Sequence, residues 1–144
     1  MRIGKMVYEK NRKVELLYTS LYKGYKYFVF NLGTHPTAYV EIPKGNMLYE
    51  KDYDSIYDDY NIYAHGGLTY SSHNLMGVDS TAWFIGWDYA HAGDYMGYYE
   101  DMIGNVYMDI LNVDSKRWTT EEIIEDCKNV IEQIVEIENH GEIE

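Results

Sequence analysis

The feature that most constrains this chain is TTEEIIEDCKNVIEQIVEIENHG, residues 119–141. Ile123, Ile124, Cys127, Val130, Ile131, Ile134 and Val135 recur there at three- and four-residue spacing, which predicts an amphipathic helix with one buried stripe. Thr119 is placed to cap it, and Glu122 three residues later completes a capping box. Glu121, Glu122, Glu125 and Asp126 load the first turns, where the helix dipole favours anions. Asn139, His140 and Gly141 predict the stop. Cys127 falls on the apolar stripe, so it is expected as a core residue rather than a nucleophile.

A stripe of that length needs a partner surface, and the first half of the chain offers a sheet. KYFVFNLG is a β-branched and aromatic run closed at Gly33. TAYVEIP alternates, with Ala38, Val40 and Ile42 on one face and Tyr39 and Glu41 on the other. The GTHP between them has the length of a hairpin connection, and Pro43 predicts that the second strand ends at or near a sheet edge. KGNMLYEKDYDSIYDDY reads as an acidic loop with a helical turn around Tyr53 to Asp58. NIYAHGG and AWFIGWDY read as two further short strands separated by the polar SSHNLMGVDST. YMGYYEDMIGNVY is ambiguous: Gly97 and Gly104 weaken a helix, while Tyr98, Met102 and Ile103 would share a helical face. The pattern predicts a single α+β domain over residues 1–144, a mostly antiparallel sheet covered on one face by the long C-terminal helix. The other face, or one end of the sheet, is then left for a site.

Charge and cysteine usage narrow the function. Twelve Lys and Arg against 24 Asp and Glu give a net charge of −12, which argues against direct nucleic-acid binding and suits either solubility or a basic partner. A single cysteine permits no intrachain disulfide, no signal peptide is legible in MRIGKMVYEKNRKVELLY, and no apolar window approaches membrane-spanning length. A cytoplasmic protein without cofactor or membrane contact is expected. Seventeen tyrosines fit half-buried sheet faces or an interaction surface, and equally a drift toward AT-rich codons.

Two small segments carry the chemistry. HGGLTYSS holds His65, Gly66, Gly67, Thr69 and Tyr70, and WDYAHAGD holds Asp88, His91 and Asp94 at three-residue spacing. Brought together, these would form a pocket of imidazoles and carboxylates. It would serve as a divalent-metal site (His65, Asp88, His91, Asp94) for hydrolysis, as a general base with its orienting carboxylate, or as a recognition site. In the last case backbone N–H groups and hydroxyls would grip a phosphate or ribose while Trp83 and Trp87 stack a base. The alternative is structural: the aspartates accept turn N–H groups and the histidines are satisfied strand ends. HExxH, CxxC, P-loop and GxSxG patterns are all missing from the sequence.

The blocks AYVEIPKGN, HGGLTYS and WFIGWDYAHAGD, in this order, resemble a family of small proteins common in phage and prophage genomes. The resemblance runs from Gly24 to Asp94 and carries over His65, Gly66, Gly67, Thr69, Gly86, Asp88, His91, Gly93 and Asp94. This chain departs from the pattern at Glu41 (usually Gly), at Asn46 (usually His) and at Tyr89 (usually Cys), which removes two transition-metal ligands. The resemblance implies a context rather than an activity: an accessory protein of a phage or mobile element, of the kind directed against CRISPR effectors or nucleotide signalling.

The leading expectation is therefore a non-enzymatic inhibitor of a bacterial antiviral defence system, anti-CRISPR-like, acting in the host cytoplasm. It would occupy the basic surface of a host defence protein or nuclease effector with Glu50, Asp52, Asp54, Asp58 and Asp59, interleaved with Tyr53, Tyr57 and Tyr60. The rivals are a small-nucleotide-sequestering protein using the His65/Asp88 pocket and the metal-assisted hydrolase.

Overall fold

The computed structural model describes residues 14–78, 80–90, 94 and 116–143. Five strands form one antiparallel sheet: β1 (Glu15–Tyr22), β2 (Tyr25–Asn31), β3 (Pro36–Ile42), β4 (Tyr70–Ser72) and β5 (Trp83–Asp88), in the order β1-β2-β3-β5-β4. Helix α1 (Tyr53–Tyr60) lies between β3 and β4 in sequence, and α2 (Thr120–Ile143) follows β5. The architecture is α+β, with α2 packed on β1, β2 and β3.

Hydrophobic alternation sends each strand's residues to two separate cores. On the helix side, Tyr27, Val29, Ala38, Val40, Ile42, Ile85 and Trp87 meet Ile123, Cys127, Val130, Ile131 and Ile134 of α2. Burial of each such aliphatic side chain contributes about 1.5–3 kcal/mol. Cys127 is fully buried, and burial pushes its thiol well above the ordinary range, so it is a core residue. On the opposite side Phe28, Phe30, Tyr39 and Phe84 pack with Leu75 and Ala82 through edge-on ring contacts, Phe30 on Tyr39 at 5.8 Å and Phe28 on Phe84 at 6.1 Å. This face is therefore filled, and burial pushes the Tyr39 phenol up to about 12. A site is left for the margin of α2, not for the second sheet face.

The capping box forms as the sequence predicts: Thr119 Oγ1 accepts the Glu122 N–H at 3.1 Å, and the Glu122 carboxylate accepts the Thr119 N–H at 3.0 Å. Tyr22 and Tyr25 donate to Glu132 and Glu138 of α2, which pins the helix along the β1–β2 hairpin. Asn46 joins the second contact, its amide donating to the Tyr25 hydroxyl at 2.6 Å and to Glu138 at 3.1 Å.

Three expectations are corrected. Pro43 does not mark an edge, since β3 lies between β2 and β5; it follows Ile42, the last paired residue, and so removes no ladder bond. NIYAHGG is not a strand. It is an irregular segment whose only strand-like property is the alternate burial of Ile62 and Ala64. The helix also runs past Asn139–Gly141 to Ile143, because one glycine costs only about 1 kcal/mol of helix propensity against an established helix. The acidic segment does contain the expected helix, which extends past Asp58 to Tyr60 and makes about two turns. YMGYYEDMIGNVY lies outside the described residues.

Candidate functional site

The site grows from the irregular segment after α1. Asn61 caps α1 in the left-handed region, and Ile62 and Ala64 then turn inward while Tyr63 stays 65% exposed. The side-chain amide of Gln133 holds this backbone: Tyr63 N–H donates to its Oε1 and Tyr63 C=O accepts from its Nε2, both at 2.8 Å. A glutamine on α2 thus does what a neighbouring strand would do. Gly66 and Gly67, at φ 69° and 91°, then turn the chain through conformations that other residues rarely adopt. The Gly67 N–H closes the turn on Ala64 C=O at 2.8 Å, and Thr69 N–H rejoins the sheet at Gly86 C=O, 2.9 Å.

The turn places the His65 ring between three aromatic and acidic neighbours. It stacks on Tyr89 at 4.7 Å and 9° between planes, and meets Trp118 edge-on at 4.8 Å. His65 Nε2 lies 3.0 Å from Asp94 Oδ2 and 3.2 Å from Oδ1, and Trp118 Nε1 donates to Asp94 Oδ1 at 2.8 Å. Asp94 is buried, and the His65 and Trp118 ring nitrogens both face its carboxylate. An ionised carboxylate only accepts, which puts a hydrogen on His65 Nε2. Tyr89 is fully buried; its hydroxyl accepts from Trp87 Nε1 at 3.0 Å and donates to Asp126 Oδ2 at 2.6 Å. Burial, then the Asp126 carboxylate, pushes the Tyr89 phenol far above its usual value, so it remains a proton donor.

A pocket of about 120 Å³ opens beside this cluster. Tyr63, Ala64 and His65 form one wall and Trp118 another, while Asp126, Asn129 and Val130 of α2 close it. The lining supplies an oriented imidazole, a carboxylate, a carboxamide and aromatic surface, and among the described residues no serine, threonine or cysteine.

Of the residues singled out in the sequence, the structure brings His65 and Asp94 together from blocks 29 positions apart. Asp88 is not part of that pair. It ends β5 in extended backbone, where its carboxylate accepts the Thr69 hydroxyl at 3.2 Å and the Ala90 N–H at 3.1 Å, a turn role. Gly66, Gly67, Thr69 and Tyr70 shape the return to the sheet and do not line the pocket. Neither do the tryptophans of β5: Trp87 is buried in the core, and Trp83 donates its N–H to Lys51 C=O. The hydroxyls expected to grip a phosphate serve local backbone, Ser71 accepting from Tyr53 N–H, Ser72 from Asn74 N–H and Tyr70 donating to Asn74 C=O. His91 and Gly93 lie outside the described residues, among which no group of three or more His, Cys, Asp or Glu is disposed to hold a metal.

Trp118, Asp126, Asn129 and Gln133 were not legible as site residues. The last three occupy the polar side of an amphipathic helix, where the sequence pattern reads them as solvated. Away from the pocket, His73 bridges Glu50 at 2.7 Å and Ala82 C=O at 2.9 Å and packs edge-on against Trp83.

The acidic segment is sorted by α1. Asp52 is its N-cap, accepting Ser55 N–H at 2.9 Å; Asp59 pairs with Lys51 at 2.9 Å; Glu50 pairs with His73. Ile56 is buried and Tyr60 half-buried against the core. Tyr53, Asp54, Tyr57 and Asp58 share the outer face, all exposed. No protein family, curated protein or solved structure matches this chain.

Proposed function

We propose that the chain works by binding another protein, as an accessory protein of a phage or mobile element that inhibits a bacterial antiviral defence system in the host cytoplasm, in the manner of an anti-CRISPR. The observation that carries this reading is the outer face of α1. Asp54 and Asp58 stand there beside Tyr53 and Tyr57, and among the described residues none of the salt bridges involves either carboxylate. Tyrosines flanked by carboxylates offer a basic partner apolar contact, hydroxyls and charge complementarity together. The net charge of −12 would steer such a partner and repel nucleic acid.

The two rivals draw less support. A pocket of about 120 Å³ is smaller than the roughly 300–1,000 Å³ of ordinary small-molecule sites, which disfavours a sequestered nucleotide at His65. The hydrolase needs Asp88 beside His65 and Asp94, whereas Asp88 is engaged with Thr69 and Ala90.

The test is phage plaquing on cells that carry single defence systems, a CRISPR nuclease effector among them, with and without this protein. The parent should restore plaquing against one system by at least tenfold, and purified parent should bind that system's effector. The Asp54→Lys/Asp58→Lys double variant should lose both effects at an unchanged melting temperature. Inhibition by the double variant equal to the parent's would remove the α1 surface from the mechanism.

A further inference from the structure

We infer that the pocket beside His65 receives the ammonium group of a lysine side chain from the protein partner. The assignment rests on reading the chain as a protein-binding module, and it adds the anchor to that surface. Three observations point to a cation. Asp126 lines the pocket with one carboxylate oxygen committed to Tyr89, and among the described residues that side chain makes no other hydrogen bond or salt bridge. Asn129 adds a carbonyl oxygen, already accepting from Gln133 at 2.9 Å and able to accept again. Tyr63 and Trp118 supply ring surface of the kind that attracts cations. The Trp118 ring already carries one cation, the Lys116 ammonium 4.2 Å from its centroid, and Lys116 does not line the pocket.

Geometry then selects lysine over arginine. A guanidinium is best met by a carboxylate that presents both oxygens, and Tyr89 has taken one. A compact ammonium on a flexible stem needs one carboxylate oxygen plus one neutral acceptor, and a pocket of about 120 Å³ suits that end group better than a planar fork. The pocket is also close in sequence to the proposed interface: only residues 61–64 separate the end of α1 from His65, and exposed Tyr63 lines the pocket.

The test follows the indole N–H resonance of Trp118 in ¹⁵N-labelled protein titrated with Nα-acetyl-lysine methylamide. A saturable shift is expected at Trp118 while the Trp83 indole, bonded to Lys51 C=O, stays still. The Nε-acetylated analogue should give none, and the arginine analogue should bind at least tenfold more weakly. Asp126→Asn keeps an acceptor for Tyr89 and should weaken lysine binding at least tenfold. Asn129→Lys, which supplies an ammonium in cis, should abolish the shift even if Asp126→Asn folds poorly. An equal shift with the Nε-acetylated analogue, tighter binding of the arginine analogue, or no saturable shift would overturn the assignment. Tighter binding of putrescine would overturn it in favour of a free polyamine. Because this probe is a single amino-acid derivative, its failure leaves the α1 variant result standing, and failure at α1 leaves the pocket result standing.

Discussion

Replacing Tyr89 with Phe removes one oxygen and tests how the site is tied to the core. The ring stays, so its stack on His65 at 4.7 Å is kept. What goes is the hydroxyl that accepts from Trp87 Nε1 and donates to Asp126. The two losses are unequal. Asp126 borders an open pocket, and water replaces the lost donor there. Trp87 is 1% exposed, so its N–H is left buried and unpaired at a cost of about 1–3 kcal/mol. For a chain of this length about 1 kcal/mol moves the melting temperature by about 4 °C, so Tyr89→Phe should melt roughly 4–12 °C below the parent. The assay is thermal unfolding by circular dichroism on the parent, Tyr89→Phe, Trp87→Phe and the double variant. With the donor already gone, the second substitution should be cheaper, giving a coupling of at least about 1 kcal/mol between the positions. A Tyr89→Phe variant that melts within about 1 °C of the parent would show that the buried indole does not depend on this hydroxyl.

Three further outcomes are expected. Gly86→Ala would bring a methyl within 2.4 Å of Tyr39 Cδ1 and 2.7 Å of Ala38 C=O, overpacking that should cost about 1–3 kcal/mol in a denaturant titration. Gln133→Ala removes both bonds to Tyr63, a loss of about 1–3 kcal/mol, read as faster amide exchange at Tyr63 with little change at the centre of β3. The bond to Glu50, then that to Ala82 C=O, raises the His73 pKa above its usual 6.5. Its contribution to stability is therefore fully present below that usual value and fades as pH rises through the raised native one. Glu50→Gln should return the His73 ring titration, followed by NMR, toward the ordinary value.

Where the sequence was readable, local chemistry and tertiary packing agreed. Ile123, Cys127, Val130, Ile131 and Ile134 of the α2 stripe are buried, with Ile124 and Val135 partly so; its capping box is made, and Ala38, Val40 and Ile42 share the face that the alternation of β3 predicts. NIYAHGG misled because period-two burial of Ile62 and Ala64 is a strand's signature, while its backbone partner is a glutamine side chain 70 positions away. That partner has no local signal. The sequence predicts a convergence of His65, Asp88, His91 and Asp94; the structure brings His65 to Asp94 and leaves Asp88 outside any three-residue ligand group among the described residues. Three-residue spacing aligns groups only on a helical path, and Asp88 ends a strand. The acidic segment looked uniform because a cap, two ion pairs and an exposed face are indistinguishable as charges in a row.

The placement of the pocket on α2 bears on how such a protein can change. Asp126 and Asn129 line the pocket at three-residue helical spacing, while Cys127 and Ile131 of the same turns are buried in the core. One helix therefore carries side chains that specify the fold and, at Asn129, an exposed one that faces the pocket without entering the core. Substitutions at Asn129 can therefore reshape the pocket without disturbing the packing of Cys127 and Ile131 against the sheet.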